Sequence, residues 1–233
     1  YTLRQSGNVV NGIDVSYYNG NVNWEEVKAA GIDFVIIRCG YRGYGAEGNI
    51  AQDVKFESNI QGALAAGLNV GVYMFSQAIT EEEAVEEAEY MLNLVDGYEV
   101  TLPLVMDYEY APTGSSGRLY NADLSKSEAT AICNAFIERI ASAGYTPMIY
   151  ANKSMLTNDI DGEALAENAM IWLANYTTDT TYGGPYQFWQ YTESGSVDGI
   201  SGNVDGNFYF DNGGVFMPFR DVAVGSWFYD DIA

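Results

Sequence analysis

The sequence of 233 residues contains no histidine. This absence excludes Ser-His-Asp and Cys-His catalysis, zinc sites built on imidazole, and a histidine general base. Any acid–base chemistry therefore falls to carboxylates, tyrosine, cysteine or lysine. The range of possible reactions is narrow before any motif is considered.

Basic residues are also few. The sequence has 10 Lys and Arg and 32 Asp and Glu, which gives a formal net charge of −22. Clustered Lys and Arg are needed to neutralise phosphates, so this balance argues against nucleic acid as a partner. It also disfavours docking on anionic lipid. No apolar run approaches the roughly 18 residues that a membrane-spanning helix needs, so we expect no membrane insertion.

Cysteine is limited to Cys39 and Cys133, too few for a disulfide scaffold or a cysteine-bound zinc. Cys39 lies in an apolar strand-like run and Cys133 on the apolar face of a predicted helix, so we expect two buried free thiols. We expect no metal and no cofactor. The first residues, YTLRQSGNVV, lack both an initiator Met and the apolar core of a signal peptide, which predicts a mature or trimmed chain.

The sequence instead contains an alternation of short β-type runs and amphipathic helices, which is typical of an α/β fold with a largely parallel sheet. Eight strands are predicted, the number that closes a (β/α) barrel. The alternation degrades after the fifth strand, so a regular eightfold barrel is not expected. The predicted strands are 12–16, 34–40, 69–76, 102–109, 146–152, 170–176, 186–192 and 203–210. The predicted helices are 24–30, 53–66, 81–96 and 126–143, with a weak helical pattern at 160–167.

The helix starts carry capping signals. Asn23 can cap the first helix, and Thr80 and Ser125 are each followed three residues later by Glu, the pattern of a capping box. The acidic run at 81–89 is interpreted as a solvated helix face rather than a partner-binding patch.

Four acidic residues lie at or near the ends of predicted strands, where a barrel of this type carries its chemistry. Asp14 follows Ile13 in the first strand, and Asp205 begins the last. Asp107 and Glu109 are separated by one residue, so the period of a strand points both to one face, roughly 6–7 Å apart.

Carboxylates that converge on a cleft are what glycosidic bond cleavage requires. One must stay protonated to donate to the leaving oxygen, and the others stabilise positive charge at the anomeric carbon. A D-x-E motif alone is weak evidence, since most such motifs are structural. A calcium site is a second alternative, although no EF-hand-type loop surrounds these acids.

Aromatic residues are abundant, with 19 Tyr, 10 Phe and 4 Trp. Many lie at predicted strand ends or in adjoining loops, where they could stack on the apolar faces of sugar rings; the alternative is that they fill the barrel. Tyr41 and Tyr44, in the glycine-rich segment YRGYG, are expected to be exposed. The set comprises Tyr41, Tyr44, Tyr73, Phe75, Tyr150, Trp172, Trp189 and Tyr191.

Eight short motifs follow one another between about residue 11 and about residue 210. They are GIDVSYYNG with NW at 23–24, GIDFVIIRCGYRGYG (31–45), AGLNVGVYMFSQAIT (66–80), LPLVMDYE (102–109), AGYTPMIYAN (143–152), IWLANY (171–176), FWQYT (188–192) and NVDGN (203–207). In this order they resemble the family 25 glycoside hydrolases, the Chalaropsis-type lysozymes or N-acetylmuramidases. The resemblance implies an irregular, flattened (β/α) barrel of about eight strands with about five helices.

The resemblance also implies a site and a reaction. Asp14, Asp107, Glu109 and Asp205 would line the active site, with Glu109 as the general acid/base. The substrate would be peptidoglycan, cut at the β-1,4 bond between N-acetylmuramic acid and N-acetylglucosamine. The acetamido group of the substrate would act as nucleophile, stabilised by Asp107; a direct carboxylate nucleophile remains the competing route. The residues implied to shape the cleft and bind substrate are Tyr41, Tyr73, Phe75, Tyr150, Trp172 and Gln190.

The implied protein is a monomeric bacterial enzyme, secreted or associated with the cell wall. Two other functions stay open at this point. One is a chitinase-like glycosidase, which also employs a D-x-E strand end, and the other is a non-catalytic module that binds cell-wall glycan.

The C-terminal segment FRDVAVGSWFYDDIA (219–233) lies outside the barrel pattern. It resembles the opening of a surface-layer homology repeat, cut off after about 15 residues. We therefore divide the chain into a catalytic barrel, 1–213, and a linker with a truncated repeat, 214–233. We expect the native chain to continue into repeats that anchor it to the cell wall; the alternative is a segment that packs its aromatic residues on the barrel.

Overall fold

The computed structural model describes residues 8–112 and 116–211, in which apolar, β-branched runs form nine strands. Each of the eight predicted strands is present, with ends that differ from the prediction by a few residues. The short β3 was not predicted, because three residues are too few to show a periodic pattern. The strands are β1 (Asn8–Val15), β2 (Phe34–Arg42), β3 (Ile50–Gln52), β4 (Asn69–Ser76), β5 (Leu104–Tyr108), β6 (Pro147–Asn152), β7 (Met170–Ala174), β8 (Phe188–Gly195) and β9 (Val204–Asp211).

Six α-helices lie between these strands in the described residues, and five of them match predicted helices. The sixth, α4, has four residues, too short for a helical period. A 3₁₀ turn at Tyr17–Asn19 and a π-helix at Met155–Asp159 complete the set. The helices are α1 (Trp24–Ala29), α2 (Phe56–Ala65), α3 (Glu81–Val95), α4 (Arg118–Asn121), α5 (Lys126–Ser142) and α6 (Gly162–Leu165).

The sheet closes into a mixed barrel of eight strands. Neighbours from β1 through β2 and β4 to β8 pair in parallel, whereas β9 pairs antiparallel with both β8 and β1 and closes the ring. The short β3 adds to β2 as an antiparallel edge. Residues 175–187 and 196–203 contain no helix, so the (β/α) alternation is lost in the second half, as the sequence predicts.

The two faces of the strands bury two apolar layers. Leu104, Met106 and Tyr108 of β5 point outward and pack under the helices, as predicted, while Val105 points into the barrel. Large side chains fill the barrel interior. They include Phe34, Ile36, Met148, Trp172, Phe188 and Tyr209.

Gly12 of β1 shows how tightly this interior is filled. A Cβ built on Gly12 would lie 2.3 Å from the ring of Phe34. Glycine is therefore required where the aromatic ring crosses the first strand. Because apolar side chains fill the barrel to this density, polar chemistry is confined to the end where the parallel strands finish.

The capping predictions hold with one exception. The side chains of Asn23, Thr80 and Ser125 each accept the backbone N–H three residues later. Ser125 and Glu128 complete a capping box. The predicted box at Thr80 is half wrong, because the carboxylate of Glu83 accepts the backbone N–H of Ile79 and pairs with an arginine of α4 instead.

Both cysteines are free and buried, as predicted. Within residues 8–112 and 116–211, no helix has the length and apolar character to cross a membrane. The predicted linker and truncated repeat at 214–233 lie outside the described residues.

Candidate active site

The four acids predicted from the strand ends meet at one end of the barrel. Asp14 is the penultimate residue of β1, Asp107 lies in β5, and Glu109 follows the end of β5. Since β9 runs antiparallel to β1, its beginning lies at the same end, where Asp205 is the direct register partner of Asp14. We call these four residues the acidic mouth.

A cavity of about 80 Å³ is lined by all four members of the acidic mouth. The sequence-predicted Tyr73, Tyr150, Trp172 and Gln190 line the same cavity. The space would admit one polar group of a ligand rather than a whole sugar ring, so a longer substrate would have to lie in the wider groove outside it.

Gln190 of β8 connects two of the acids. Its Nε2 donates to Asp14 Oδ2 at 2.8 Å and to Asp205 Oδ2 at 3.3 Å. Its Oε1 accepts the hydroxyl groups of Tyr150 and Tyr176, both at 2.7 Å. The two tyrosines fix which way the amide points, and the amide in turn holds the pair of carboxyl groups together.

Asn207 of β9 supports the same acid from another side. Its Nδ2 donates to Asp14 Oδ2 at 2.8 Å, and its Oδ1 accepts the indole N–H of Trp172 at 2.8 Å. Trp172 is only 1% exposed. It therefore forms the floor beneath the acidic mouth, and the structure does not place it as an open ring on which a sugar could stack.

Burial is the main electrostatic influence on the acidic mouth. It raises the pKa of Asp14, and the negative charge of Asp205 raises it further. Burial likewise raises the pKa of Asp107, and the charge of Glu109 adds to this. The pKa values of Glu109 and Asp205 are also raised by burial, although a hydrogen bond from the partner carboxyl opposes the shift.

The acidic mouth is thus two carboxyl pairs, Asp14 with Asp205 and Asp107 with Glu109, in which the partner contributes to the raised pKa of Asp14 and of Asp107. Two neighbouring carboxyl groups cannot both ionise easily when burial removes them from water. The arrangement can keep one carboxyl protonated while a neighbouring carboxylate stabilises a positive charge.

Gln77 positions the backbone of Glu109. Its side chain is fully buried, and its Nε2 donates to the carbonyl of Glu109 at 2.6 Å. Its Oε1 accepts the backbone N–H of Leu119 at 3.4 Å. Arg118 donates to the carbonyl of Gln77 at 3.1 Å. The segment that follows β5 is therefore fixed to α4 from behind.

A groove of about 930 Å³ runs alongside the acidic mouth. Asp107, Glu109 and Asp205 lie on its wall. Of the remaining sequence-predicted residues, Tyr41, Tyr73 and Phe75 line it. Tyr41 and Tyr44 are 38% and 49% exposed, which confirms the expectation for the glycine-rich segment.

Several residues at this site were not singled out by the sequence. Asn207 lies two positions after Asp205, so strand alternation could have placed both on one face. Arg38 is the one charged residue in the apolar run 34–40, which could also have drawn attention. Gln77 and Tyr176 give no signal, because their roles depend on contacts between distant segments.

The described residues contain no group of three or more Cys, Asp or Glu with the geometry to hold a metal ion.

Comparison with known proteins gives a consistent result. The model of the family described as glycosyl hydrolases family 25 matches residues 13–200. Lysozyme M1 of Streptomyces globisporus is 30% identical over 207 residues, which cover 85% of this chain and 67% of that protein. The N,O-diacetylmuramidase of Chalaropsis sp is 31% identical over 213 residues, covering 84% and 96%.

A solved structure extends the likeness to the fold. The modular autolysin LytC of Streptococcus pneumoniae, in complex with a synthetic peptidoglycan ligand, superposes with a TM-score of 0.75 at 26% identity. The match covers 87% of this chain and 47% of the LytC chain. This chain therefore spans about half the length of that autolysin.

Proposed function

The chain belongs to the glycosyl hydrolases of family 25, and from this premise we propose that it hydrolyses the β-1,4 bond between N-acetylmuramic acid and N-acetylglucosamine in peptidoglycan. The observation that carries the proposal is the acidic mouth, two buried and two half-buried carboxyl groups on one cavity beside an aromatic-lined groove. The relatives named lysozyme and N,O-diacetylmuramidase, and the autolysin bound to a peptidoglycan ligand, support this substrate.

Glu109 is the general acid and then the general base. It follows the end of β5, is less buried than Asp107, and lines both the small cavity and the groove, so its carboxyl can reach a glycosidic oxygen in the groove. Burial raises its pKa, which favours the protonated form that donation requires. After the leaving group departs, the carboxylate takes a proton from the attacking water.

Asp107 stabilises the positive charge that develops when the acetamido oxygen of the substrate attacks the anomeric carbon. A retaining enzyme with a carboxylate nucleophile needs about 5–5.5 Å between its two carboxyl groups. Asp107 is buried and its pKa is raised by burial and by the neighbouring Glu109. A raised pKa lowers the availability of the carboxylate as a nucleophile, which supports assistance by the acetamido group over a direct attack by Asp107.

Asp14 and Asp205 position the sugar and tune the proton affinity of the site. Both are held by Gln190, and Asp14 also by Asn207. The charge of Asp205 raises the pKa of Glu109. The aromatic side chains of Tyr41, Tyr73 and Phe75 provide apolar faces along the groove for the sugar rings.

This reaction places the enzyme at the bacterial cell wall, outside the membrane, where its substrate lies. A glycan is compatible with the net charge of −22, which excludes nucleic acid but leaves a neutral sugar backbone free to bind.

The test is digestion of purified peptidoglycan followed by mass spectrometry of the new reducing ends. Muramic acid at the reducing end supports the proposal, and glucosamine there contradicts it. Cleavage of chitin but not of peptidoglycan would indicate a chitinase-like enzyme, and binding without turnover would indicate a glycan-binding module.

Glu109→Gln tests the assignment of the acid. We expect the rate to fall by at least roughly a hundredfold, the usual contribution of general acid catalysis, while glycan binding remains. Glu89→Gln is the matched control, because Glu89 lies on α3 in an exposed pair with Arg139. Undiminished cleavage by the Glu109 variant would remove this residue from the role.

A further inference from the structure

Arg38 of β2 lines the groove beside the acidic mouth. Its Nε donates to Asp53 Oδ2 at 2.7 Å, and its side chain is 14% exposed. The guanidinium carbon lies 5.3 Å from the ring centroid of Tyr18 and 5.6 Å from that of Tyr41. The cation is therefore held in one place between two aromatic rings and still reaches the groove.

Asp53 is itself fixed by backbone donors. Its Oδ2 also accepts the N–H of Tyr17 at 2.9 Å, and its Oδ1 accepts the N–H of Lys55 at 2.8 Å. Asp53 is buried. Within the described residues, the hydrogen bond of Arg38 to Asp53 uses one of the five N–H donors of the guanidinium, which leaves four for another acceptor.

Arg42 lines the same groove but has a different role. Its N–H groups donate to Glu87 and Glu86 and to the carbonyls of Gly48 and Glu83. It is only 4% exposed. These four hydrogen bonds leave one N–H donor of Arg42, whereas Arg38 has four left for a ligand.

We propose that Arg38, held by Asp53 and flanked by Tyr18 and Tyr41, binds a carboxylate on the lactyl-peptide arm of muramic acid. This inference rests on the proposed function and names the part of the substrate that the groove recognises. A guanidinium presents a planar pair of donors that matches a carboxylate, and its fixed orientation reduces the entropy lost on binding.

The net negative charge of the protein makes a cation in the groove important for binding an anionic substrate. A chain with net charge −22 repels an anionic arm unless a local cation receives it. Chitin has no lactyl-peptide arm and gains nothing from this arginine. Arg38 is therefore a specificity residue that favours the muramic acid polymer over a neutral glycan.

The experiment compares two forms of one substrate. The first is soluble peptidoglycan strands with free carboxylates, and the second is the same strands after carbodiimide-driven amidation. We expect the natural protein to lose about tenfold in kcat/KM on amidation, the scale of one charge-assisted hydrogen bond. We expect Arg38→Gln to lose about tenfold on the free strands and to show no discrimination between the two forms.

Two further variants serve as controls for a loss of activity that has a purely structural cause. Arg38→Gln leaves Asp53 buried without its cation, so the double variant Arg38→Gln/Asp53→Asn restores a neutral interior and should show the same loss of discrimination. Arg139→Gln, which removes an exposed arginine of α5, should keep full discrimination. Equal losses by the Arg38 variants on both substrates would show a purely structural role and overturn the proposal, as would discrimination equal to that of the natural protein.

A binding measurement separates this proposal from the proposed function. Dissociation constants for both forms of the strands are measured by calorimetry in a Glu109→Gln background, with and without Arg38→Gln. If the natural protein cuts neither form, the proposed function fails, and the affinity difference still decides the role of Arg38. Hydrolysis of the amide bond that joins the peptide to the lactyl group removes the peptide and releases the lactyl carboxylate. Discrimination between free and amidated forms of these stripped strands assigns the contact to the lactyl group, and its absence assigns the contact to a carboxylate of the peptide.

Discussion

Two groups of carboxylates lie in this barrel under contrasting conditions. The outer acidic cluster consists of Glu83, Glu86 and Glu87 on α3 with their partners Arg42 and Arg118. Arg42 contacts Glu87 and Glu86 at 2.7 Å each, and Arg118 holds Glu83 with two hydrogen bonds, at 2.5 and 2.6 Å. In the acidic mouth the side chains that donate to Asp14 and Asp205 are amides.

The difference shows how strongly burial governs a carboxyl group in this protein. Glu87 is 1% exposed, and burial raises its pKa to about 7 even though Arg42 lies against it. Glu83 is more exposed and its two hydrogen bonds to Arg118 prevail, so its pKa is lowered. The pKa values of the four acids in the mouth are raised above those of the same side chains in water, so these acids keep their protons to a higher pH. The guanidinium partners hold α3 on the barrel, whereas Asp14 and Asp205, with amide partners, keep a raised pKa.

The largest expected effect comes from removing a cation of the outer acidic cluster. Arg42→Met should lower the free energy of unfolding by about 3 kcal/mol at pH 7, because it leaves Glu87 buried without its partner. The value lies at the low end of the range for broken buried pairs, since Glu87 can take up a proton. Urea denaturation measures the change.

The double variant Arg42→Met/Glu87→Gln should recover much of that loss, since no uncompensated charge remains. A double variant as unstable as the single one would show that packing rather than charge holds α3 on the barrel.

A substitution in the acidic mouth is expected to raise the free energy of unfolding rather than lower it. Asp14→Asn should raise the free energy of unfolding by about 1–2 kcal/mol at pH 7 while activity falls, since it removes a buried charge that repels Asp205. The folded pKa of Asp14 is raised, so its ionisation destabilises the fold above its usual pKa near 3.8.

The gain from Asp14→Asn should therefore shrink as the pH falls toward 3.8, because the carboxyl of Asp14 then becomes protonated in the unfolded chain as well as in the folded one. Thermal unfolding of both proteins between pH 7 and pH 4 measures this. A variant that is less stable than the natural protein at pH 7 would contradict the comparison between the two clusters.

The smallest expected effect comes from Glu83, whose contribution to the free energy of unfolding depends on pH in the opposite direction to that of Asp14. Glu83→Gln should lower the free energy of unfolding by about 1 kcal/mol at pH 7, because the charged hydrogen bonds to Arg118 are weakened. The folded pKa of Glu83 is lowered, so its contribution is complete above its usual pKa of 4.5 and is lost as the pH falls through the folded pKa.

Denaturation of this variant at several pH values should show a deficit that disappears in acid. A deficit that persists there would mean that Glu83 acts through packing of α3 against α4 rather than through its charge.

Local patterns in the sequence were enough to predict eight of the nine strands and the positions of the four acids. Asp107 and Glu109 are visible because a strand has a period of two, and Asp14 and Asp205 because each lies at the edge of an apolar run. The short α4 lacked such a pattern, and its place depends on contacts of Arg118 with Glu83, 35 positions away in sequence.

The roles of individual side chains were harder to predict than their positions. Trp172, which the resemblance implies to shape the cleft and bind substrate, lines the small cavity, and its indole N–H donates to Asn207 beneath the acids. Burial of this kind depends on how the barrel closes and leaves no trace in the segment around residue 172. The same holds for Gln77, whose importance comes from a carbonyl 32 positions further along the chain.

The pairing of β1 with β9 has a consequence for the synthesis of the protein. Asn207 and Asp14 are joined by a hydrogen bond across 193 positions of the chain. One of the four acids therefore comes from the first strand, and another acid, together with the amide of Asn207, comes from the last. Contacts between such distant segments form late in folding. A growing chain that has completed only β1 to β7 already carries Asp107 and Glu109 but lacks the strand that brings Asp205 and Asn207 to Asp14. The acidic mouth is complete only when β9 closes the ring of strands, so we expect a chain that lacks β9 to be inactive.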